Sequence, residues 1–200
     1  MARRKDHDPK TLRLLIVRAG RTIIQAKGLE AMTARSVARA VGYAPGTIYN
    51  VFRDLDALTL AINHETLDLL QQTCEAAIEG VPDGMPRIKA LAHTYLHFAE
   101  THARLWSALF AQNRRKGRGR KPPVWYRRKL DALFILLERN LQQAFGLPAV
   151  ASRQDARLLW ACMHGITSLQ LDGRLGLAGV ADAAAITDAM LMRLFGGSAS

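Results

Sequence analysis

Residues 45–50 combine side chains that recognise nucleic acid with a backbone that can approach it closely. Thr47 and Tyr49 carry hydroxyl groups that suit phosphate oxygens or base edges, and the carboxamide of Asn50 can pair with an adenine edge. Gly46 has no side chain, so a helix starting here would bring its free N–H groups and its dipole close to a phosphate. The chemistry predicted for this segment is contact with double-stranded DNA.

Two short helices joined by a tight turn would hold these side chains outward. A helix is predicted to begin at Thr33, and Gly42 supplies the positive φ that a tight turn needs. Pro45 fits the first position of a following helix. This spacing is that of a helix-turn-helix, whose second helix enters the major groove. The inner face of that helix is predicted to consist of Ile48, Val51 and Phe52.

The rest of the chain also shows apolar residues at three- and four-residue steps, and no segment alternates at period two. One further helix is predicted from Leu12 to Ala26, where Gly28 ends it, and another begins after a cap at Asp54. A third begins at Asp83 and Pro86, and a shorter one covers Arg104 to about Ala111. The last three run from Pro122 and Pro123 to Phe145, from a cap at Ser152 to Leu171, and from Asp182 to Phe195. The predicted fold class is therefore all-α: an N-terminal three-helix helix-turn-helix domain followed by a C-terminal helical bundle.

Positive charge is concentrated in two stretches. Residues 1–60 contain 11 Lys and Arg against 5 Asp and Glu, residues 114–129 contain 9 basic residues and no acid, and the chain carries +11 in all. A basic module on a slightly acidic body is typical of nucleic-acid binders, although a basic patch also suits a membrane surface. The segment Arg114 to Lys121, interleaved with glycines, is predicted to be a loop that is either simply solvated or contacts DNA backbone or another acidic partner.

Composition argues against several other classes of protein. The 200 residues are 49% apolar and 22% charged, which suffices for a sizeable core. There is no long uncharged apolar run and no signal-peptide pattern, so we expect a cytoplasmic protein without a membrane partner. Cys74 and Cys162 lie inside apolar helical patterns and are predicted to be core thiols.

Metal binding and catalysis find little support in the sequence. His93 and His97 are four residues apart, a spacing that can hold zinc, and His102 is nearby, but no acid or cysteine stands at a ligand-like spacing. We therefore expect no metal and no cofactor. A nucleophile elbow, a phosphate-binding glycine loop and a close carboxylate pair are all missing, so an enzyme is a distant alternative.

The segment 33–52 closely resembles the DNA-binding signature of the TetR family, and the match extends from about Leu12 to Leu60. Trp160, His164 and Gly165 resemble the Trp-His-Gly signature of one class of TetR C-terminal domains. The resemblance implies about nine helices, a homodimer formed through the last two, and a ligand pocket in each C-terminal body. We accordingly predict a DNA-binding domain over 1–53 and a ligand-binding and dimerisation domain over 54–200.

Two residues depart from the family pattern. Ala44 stands where the family usually has a serine that caps the recognition helix, and Leu55 stands where it commonly has a phosphate-contacting lysine. Arg53 is a candidate to replace that lysine. The residues predicted to contact DNA are Thr33, Arg35, Pro45, Gly46, Thr47, Tyr49, Asn50 and Arg53.

The body is predicted to bind an effector and a second copy of the chain. The candidate ligand-pocket residues are Phe98, Trp106, Phe110, Trp160 and His164. The candidate dimer-interface residues are Ala161, Gly165, Ser168, Met190 and Leu194. The expected function is a repressor that binds a palindromic operator as a homodimer and is released by a small apolar or aromatic molecule. Activation or ligand-independent DNA binding are the alternatives.

Overall fold

The structure is a computed structural model that describes residues 7–115 and 123–196, with the side chains of 112–115 left undescribed. Its described residues are helical and contain no strand, which confirms the all-α fold. The α-helices are α1 (Pro9–Lys27), α2 (Ala34–Val41), α3 (Pro45–Val51), α4 (Leu55–Ala77), α5 (Met85–Thr101), α6 (Ala103–Arg115), α7 (Val124–Phe145), α8 (Ala149–Leu171) and α9 (Ala183–Phe195). Short 3-10 helices cover Leu29–Ala31 and Leu175–Ala178.

The structure confirms the predicted cap of α4 and shows a further one at α9. Asp54 accepts a hydrogen bond from the backbone N–H of Ala57 at 2.8 Å, and Asp182, which was predicted as the first residue of the last helix, is its N-cap and accepts a hydrogen bond from the N–H of Ala184 at 2.8 Å. Gly28 follows α1 with a φ of 83°, although its ψ of 170° is extended rather than left-handed. These caps occupy N–H groups at the first turns of α4 and α9, which have no partner within the helix.

Three predicted helix boundaries were wrong. Helix α8 begins three residues before Ser152, which is fully buried and donates its hydroxyl hydrogen bond to the Ala149 carbonyl instead of capping the helix. Helix α6 continues past the predicted end at Ala111, so Arg114 and Arg115 belong to it and not to a loop. The remainder of the predicted basic loop, 116–121, lies outside the described residues. Helix α1 starts earlier than predicted because Asp8 caps it.

The chain forms two compact units, each with its own apolar core. The first comprises the described parts of 1–67 and 104–126, where α1, α2 and α3 pack on one another. Its fully buried side chains are Ile16, Ile24, Val37, Ala38, Ile48, Leu58, Ile62, Leu105 and Ala108. Burial of this apolar surface is what holds α2 and α3 against α1, since α2 and α3 are too short to be stable alone.

The second unit comprises 68–103 and the described residues from Arg127 onward. Helices α5, α8 and α9 pack together there around a core that includes Ile88, Leu141, Leu159 and Leu191. Helices α4 and α7 each contribute residues to both units. The proposed functional domains, 1–53 and 54–200, divide the chain by role, and these compact units do not test that division.

None of the helices in the described ranges is both long and apolar enough to cross a membrane.

Candidate DNA-binding site

Helix α2 is fixed at both ends by its own sequence. Thr33 is its N-cap: the Thr33 hydroxyl accepts a hydrogen bond from the Ser36 N–H at 3.1 Å, and the Thr33 N–H donates to the Ser36 hydroxyl at 2.9 Å. Gly42 ends the helix in the left-handed conformation, with φ 77° and ψ 29°. The turn at Gly42 therefore has the backbone that glycine supplies without strain, as predicted from the sequence.

Helix α3 has one face buried and one face exposed, which is the arrangement a recognition helix needs. Ile48 and Phe52 are 1% and 2% exposed, while Tyr49 is 52% exposed. Pro45, Gly46 and Asn50 are also exposed, Thr47 is half-buried, and Arg35 is exposed on α2. A Cβ atom at Gly46 would meet nothing within 4 Å, so the start of α3 is sterically open. Contact of these residues with DNA remains a prediction.

The N-terminus of α3 lacks a side-chain cap. Ala44 occupies the N-cap position, and no side-chain hydrogen bond is made there. Replacing a capping serine by alanine costs about 1 kcal/mol, so α3 depends on its packing against the first two helices. One such contact is strengthened by charge, because the Arg13 guanidinium of α1 lies 4.1 Å from the centre of the Phe52 ring.

Arg53 lies two residues after the last residue of α3, with its guanidinium paired to a carboxylate. Its Nη2 is 3.1 Å from Asp54 Oδ2, and the Arg53 side chain is 64% exposed. Asp54 uses its other oxygen to cap α4. An exposed ion pair of this kind contributes little to stability, so Arg53 can leave Asp54 for a phosphate at a small cost. Contact of Arg53 with a phosphate, in place of the family's lysine, remains a prediction.

Helices α1 and α4 approach each other closely within the first unit. Gly20 is buried in α1, and a Cβ atom there would lie 2.7 Å from Ile62 Cδ1 of α4. Ile62 is itself fully buried. Only glycine allows the two helices to pack this closely without moving the isoleucine.

Two polar contacts attach α6 to the first unit, and sequence reasoning missed both. Arg104 donates from Nη1 to the Gln25 carbonyl at 2.9 Å, near the end of α1. Asn63 of α4 donates from Nδ2 to the Ala108 carbonyl at 3.1 Å. The paired residues are 79 and 45 positions apart in the chain, and no local pattern in the sequence indicates such contacts.

A third contact missed from the sequence joins the start of the described chain to the helix-turn-helix. The His7 N–H donates to the Tyr43 hydroxyl at 3.3 Å, and His7 Nδ1 lies 2.8 Å from the same oxygen. Tyr43 lies in the turn between α2 and α3. The tyrosine was visible in the turn sequence, but its partner 36 residues away was not.

Two family models match this chain. The one described as "Bacterial regulatory proteins, tetR family" matches residues 16–62, and the one described as "Tetracyclin repressor-like, C-terminal domain" matches residues 88–194. The chain belongs to the TetR family. It is thus a DNA-binding transcriptional regulator, and TetR-family proteins are regulators rather than enzymes. The Trp-His-Gly subclass is consistent with the C-terminal match and stays a prediction.

Solved structures with this fold span nearly the whole chain. A protein of unknown function from Rhodococcus sp. RHA1 is 22% identical with a TM-score of 0.78, covering 99% of this chain and 100% of its own. The fatty acid degradation regulator FadR from Bacillus halodurans is 17% identical with a TM-score of 0.66, covering 92% and 97%. The multidrug binding protein EbrR, complexed with imidazole, is 19% identical with a TM-score of 0.65, covering 91% and 93%.

The predicted ligand-pocket residues form separate ring contacts in the two units. In the first unit Trp106 lies 4.9 Å from Phe110 between ring centres. In the second, Trp160 stacks on His164 at 5.3 Å, and Phe98 packs on the His102 ring at 4.7 Å. A recess of about 370 Å³ in the first unit is lined by other residues, so these contacts do not test the predicted pocket.

His164 sits in a partly buried polar contact of the second unit. Tyr95 Oη lies 3.3 Å from His164 Nδ1. Burial lowers the pKa of His164 below its ordinary value, because a charged imidazole is less well solvated there. Burial therefore favours the neutral form of this stacked imidazole.

The predicted interface residues lie on an apolar face that the single chain leaves largely exposed. Ala161 and Gly165 are exposed on α8, Ser168 of the same helix is half-buried, and Met190 and Leu194 are half-buried on α9. The large apolar side chains exposed on these two helices are Leu158, Trp160, Leu169 and Met192. A Cβ atom at Gly165 would meet nothing within 4 Å, so the backbone at that point is open.

The histidines of α5 have separate partners. His93 Nε2 is 3.0 Å from Asp188 Oδ1 of α9, while His97 Nε2 is 3.4 Å from the Thr101 hydroxyl. In 7–115 and 123–196, no three His, Cys, Asp or Glu residues are grouped closely enough to hold a metal ion.

The two cysteines differ in environment. Cys74 is buried, as predicted, and burial together with the neighbouring Glu75 raises its pKa to about 12. Cys162 is only half-buried, so its assignment to the core was wrong.

Proposed function

We propose that this regulator is a repressor that binds a palindromic operator as a homodimer and releases it when a small apolar or aromatic molecule binds the body. The observation that carries the DNA-contact assignment is the exposed face of α3, with Tyr49 outward and Ile48 buried beneath it. Those side chains stand on a helix held by apolar packing, so they can contact bases without disturbing the fold. The protein acts in the cytoplasm, where the operator is accessible.

The exposed apolar face of α8 and α9 supports the homodimer. Leu158, Ala161, Gly165 and Leu169 follow one another at three- and four-residue steps, so they lie on one side of α8. An exposed apolar face of this kind marks an interaction surface, and a second copy presents an identical face under two-fold symmetry. Two recognition helices related by that symmetry would read two half-sites about 34 Å apart.

Selection of bound fragments from a random DNA pool tests the operator. The expected result is an inverted repeat, with half-sites spaced by one helical turn or somewhat more. Recovery of a single asymmetric site, or of no preferred sequence, would contradict a symmetric operator.

Substitutions on α3 test the assigned contacts. Tyr49→Ala is expected to weaken operator binding at unchanged melting temperature, because the ring is half exposed and contributes little to the core. Tyr49→Phe keeps the ring and separates the contribution of the hydroxyl group. Asn50→Ala should relax the preference at one base position, at a cost of about 1–3 kcal/mol for a lost bidentate pair. If all three variants bind the operator as tightly as the wild type does, α3 is not the helix that contacts the bases.

A change in tryptophan emission tests the effector. Trp106, Trp125 and Trp160 all lie outside 1–53, but Trp106 and Trp125 belong to the compact unit that contains the helix-turn-helix, so only Trp160 reports on the second unit alone. One solved structure of similar fold is described as a multidrug binding protein, which supports screening apolar and aromatic compounds. A true effector should raise the melting temperature by binding the folded state. It should also weaken operator binding roughly 5- to 150-fold, and the operator should weaken effector binding by the same factor.

A reporter gene placed behind the selected operator separates repression from activation. Deletion of the regulator should raise expression from a repressed promoter, and the effector should do the same when the regulator is present. A fall in expression on deletion would assign an activator, and effector binding that is equal with and without operator would assign ligand-independent DNA binding.

A further inference from the structure

The first unit contains a recess between α1 and α2 that the proposed function does not use. Its volume of about 370 Å³ lies at the small end of the range of about 300–1,000 Å³ that is typical of ligand pockets. The residues that line it lie between His7 and Val41, within the proposed DNA-binding domain. A molecule held in this α1–α2 recess would therefore contact the DNA-binding helices directly.

One part of the lining is apolar. Leu15 and Ala19 are four residues apart on one side of α1, and Ala40 and Val41 are the last two residues of α2. Ala40 is exposed and the other three are half-buried. Because these side chains carry no hydrogen-bonding group, this part of the lining suits the hydrocarbon part of a ligand.

Three polar side chains complete the lining. Arg18 and Thr22 are four residues apart, on the same side of α1 as the apolar residues. His7 precedes the helix, and its Nδ1 lies 2.8 Å from the Tyr43 hydroxyl. No Asp or Glu is among the residues that line the recess. The recess therefore offers a cation and a hydroxyl group without a carboxylate of its own.

The charge of Arg18 has no partner in the described part of the chain. Within 7–115 and 123–196, its guanidinium makes no ion pair and no hydrogen bond, whereas Arg21, one turn later, has its Nη1 3.6 Å from Glu65 Oε2. A guanidinium presents a fork of N–H donors that matches the two oxygens of a carboxylate. The ligand group that complements Arg18 beside an apolar surface is therefore the carboxylate of an organic acid.

We propose that the α1–α2 recess binds a small aromatic or short aliphatic carboxylate, and that the bound acid weakens operator binding. The carboxylate pairs with Arg18 and accepts a hydrogen bond from the Thr22 hydroxyl, while the hydrocarbon part contacts Leu15 and Val41. Inorganic phosphate is disfavoured, because one cation beside apolar side chains cannot replace the water around a more highly charged ion. None of the residues predicted for the effector pocket lines this recess.

Two features connect the recess to DNA binding, and this step rests on the proposed operator binding by α3. Helix α2, which forms one side of the recess, packs on α3. His7 contacts Tyr43 in the turn before α3. Movement of α2 or His7 by a bound molecule would therefore displace the recognition helix. The acid also adds negative charge to a domain whose excess of basic residues attracts DNA.

Benzoate is the probe, and the first measurement is an NMR titration of the full-length protein without DNA. The methyl signals of Leu15 and Val41 should shift as the recess fills. Benzamide has the same ring without the charge and should bind roughly 5- to 12-fold more weakly, the range between an exposed ion pair and a hydrogen bond to a charged group. Absence of these shifts, or equal affinity for benzamide or inorganic phosphate, would overturn the inference.

Substitutions then locate the site. Arg18→Gln removes the charge and should weaken benzoate binding by the same roughly 5- to 12-fold. Arg39→Gln is the matched control, because Arg39 is exposed on α2 beside the recess but does not line it, and this variant should keep wild-type affinity. Equal losses in both would show an effect of overall charge and overturn the inference.

A second variant fills the recess without changing its charge. Ala40→Phe should abolish benzoate binding, and because Ala40 is exposed, the melting temperature should stay near that of the wild type. Wild-type affinity for benzoate in either Arg18→Gln or Ala40→Phe would place the acid elsewhere and overturn the assignment of this recess.

The effect on DNA is measured by fluorescence anisotropy with the selected operator, at matched ionic strength because salt alone weakens DNA binding. Saturating benzoate should weaken operator binding by roughly 5-fold or more, and the operator should weaken benzoate binding by the same factor. Arg18→Gln should lose this effect and Arg39→Gln should keep it. Operator affinity that is unchanged by saturating benzoate would overturn the inference. Failure of the proposed function is a different result, in which the wild-type protein shows no preferred operator even without the acid.

Discussion

The substitution Gly165→Leu separates packing within one chain from packing between two. In the single chain, a Cβ atom at this position meets nothing within 4 Å, and Gly165 is exposed on α8. Leucine is also the better helix former, by about 0.7 kcal/mol relative to glycine. The folded monomer should therefore tolerate the substitution or gain slightly from it.

The same leucine should not be tolerated where a second α8 packs against this face. Over-filling a packed contact costs about 1–3 kcal/mol, and two-fold symmetry introduces the leucine twice. The expected loss of about 2–6 kcal/mol corresponds to a roughly 30- to 20,000-fold rise in the dimer dissociation constant. Because operator binding needs both recognition helices, DNA affinity should fall with it.

Sedimentation equilibrium over a wide concentration range measures that constant, and circular dichroism checks that the monomer stays folded. Gly176→Leu is the matched control, because Gly176 is exposed, lies outside α8 and α9, and a Cβ atom there would also meet nothing within 4 Å. A Gly165→Leu protein whose dissociation constant matches that of both the wild type and this control would refute the assignment of α8 to the interface.

Three other substitutions or measurements test the two cores and one surface contact. Gly20→Leu should lower the free energy of unfolding by about 1–3 kcal/mol in chemical denaturation, because the added atoms collide with the buried α4 methyl group. A thiol reagent at mildly alkaline pH should label Cys162 in the folded protein but not Cys74, whose pKa of about 12 keeps it protonated, and should label both after unfolding. The hydrogen bond with His93 lowers the pKa of Asp188, so the ionised Asp188 stabilises the fold above its ordinary pKa and this stabilisation is lost as the pH falls. In Asp188→Asn, the free energy of unfolding should therefore decrease less on acidification than it does in the wild type.

A specific result would contradict each of these three predictions. A Gly20→Leu protein as stable as the wild type would mean that α4 can move away from α1 at no cost. Equal labelling of both thiols in the folded protein would contradict the burial of Cys74. An unchanged acid limb in Asp188→Asn would show that solvent screens this half-exposed contact completely.

Sequence patterns predicted helix ends best where a residue acts on its immediate neighbours. Thr33 caps α2, and Gly42 ends it with a positive φ. Ser152 looked equally suited to capping, yet it lies inside α8, where its oxygen accepts a hydrogen bond from Gln142 at 2.9 Å. The sequence alone could not distinguish a serine that caps a helix from one that is buried between two helices, because the difference depends on what packs against it.

The outward side chains of α3 could be predicted because their spacing relative to Ile48 and Phe52 decides which face is buried. The contacts that hold the site in place could not be predicted from the sequence. The pairs His7 with Tyr43 and Arg104 with Gln25 join residues far apart in the chain, and only the packed fold brings them together.

The composition of the first core has a consequence for synthesis of the protein. Leu105 and Ala108 are each 1% exposed in the core that also buries Ile48 and Leu58. When the ribosome has made residues 1–67, this core still lacks part of its apolar filling. At about 5–20 residues per second, the chain takes roughly 2–8 s more to reach Ala108. The first core is therefore complete only after α6 has been made. During that interval it exposes apolar surface, a stage at which chaperones would bind the nascent chain.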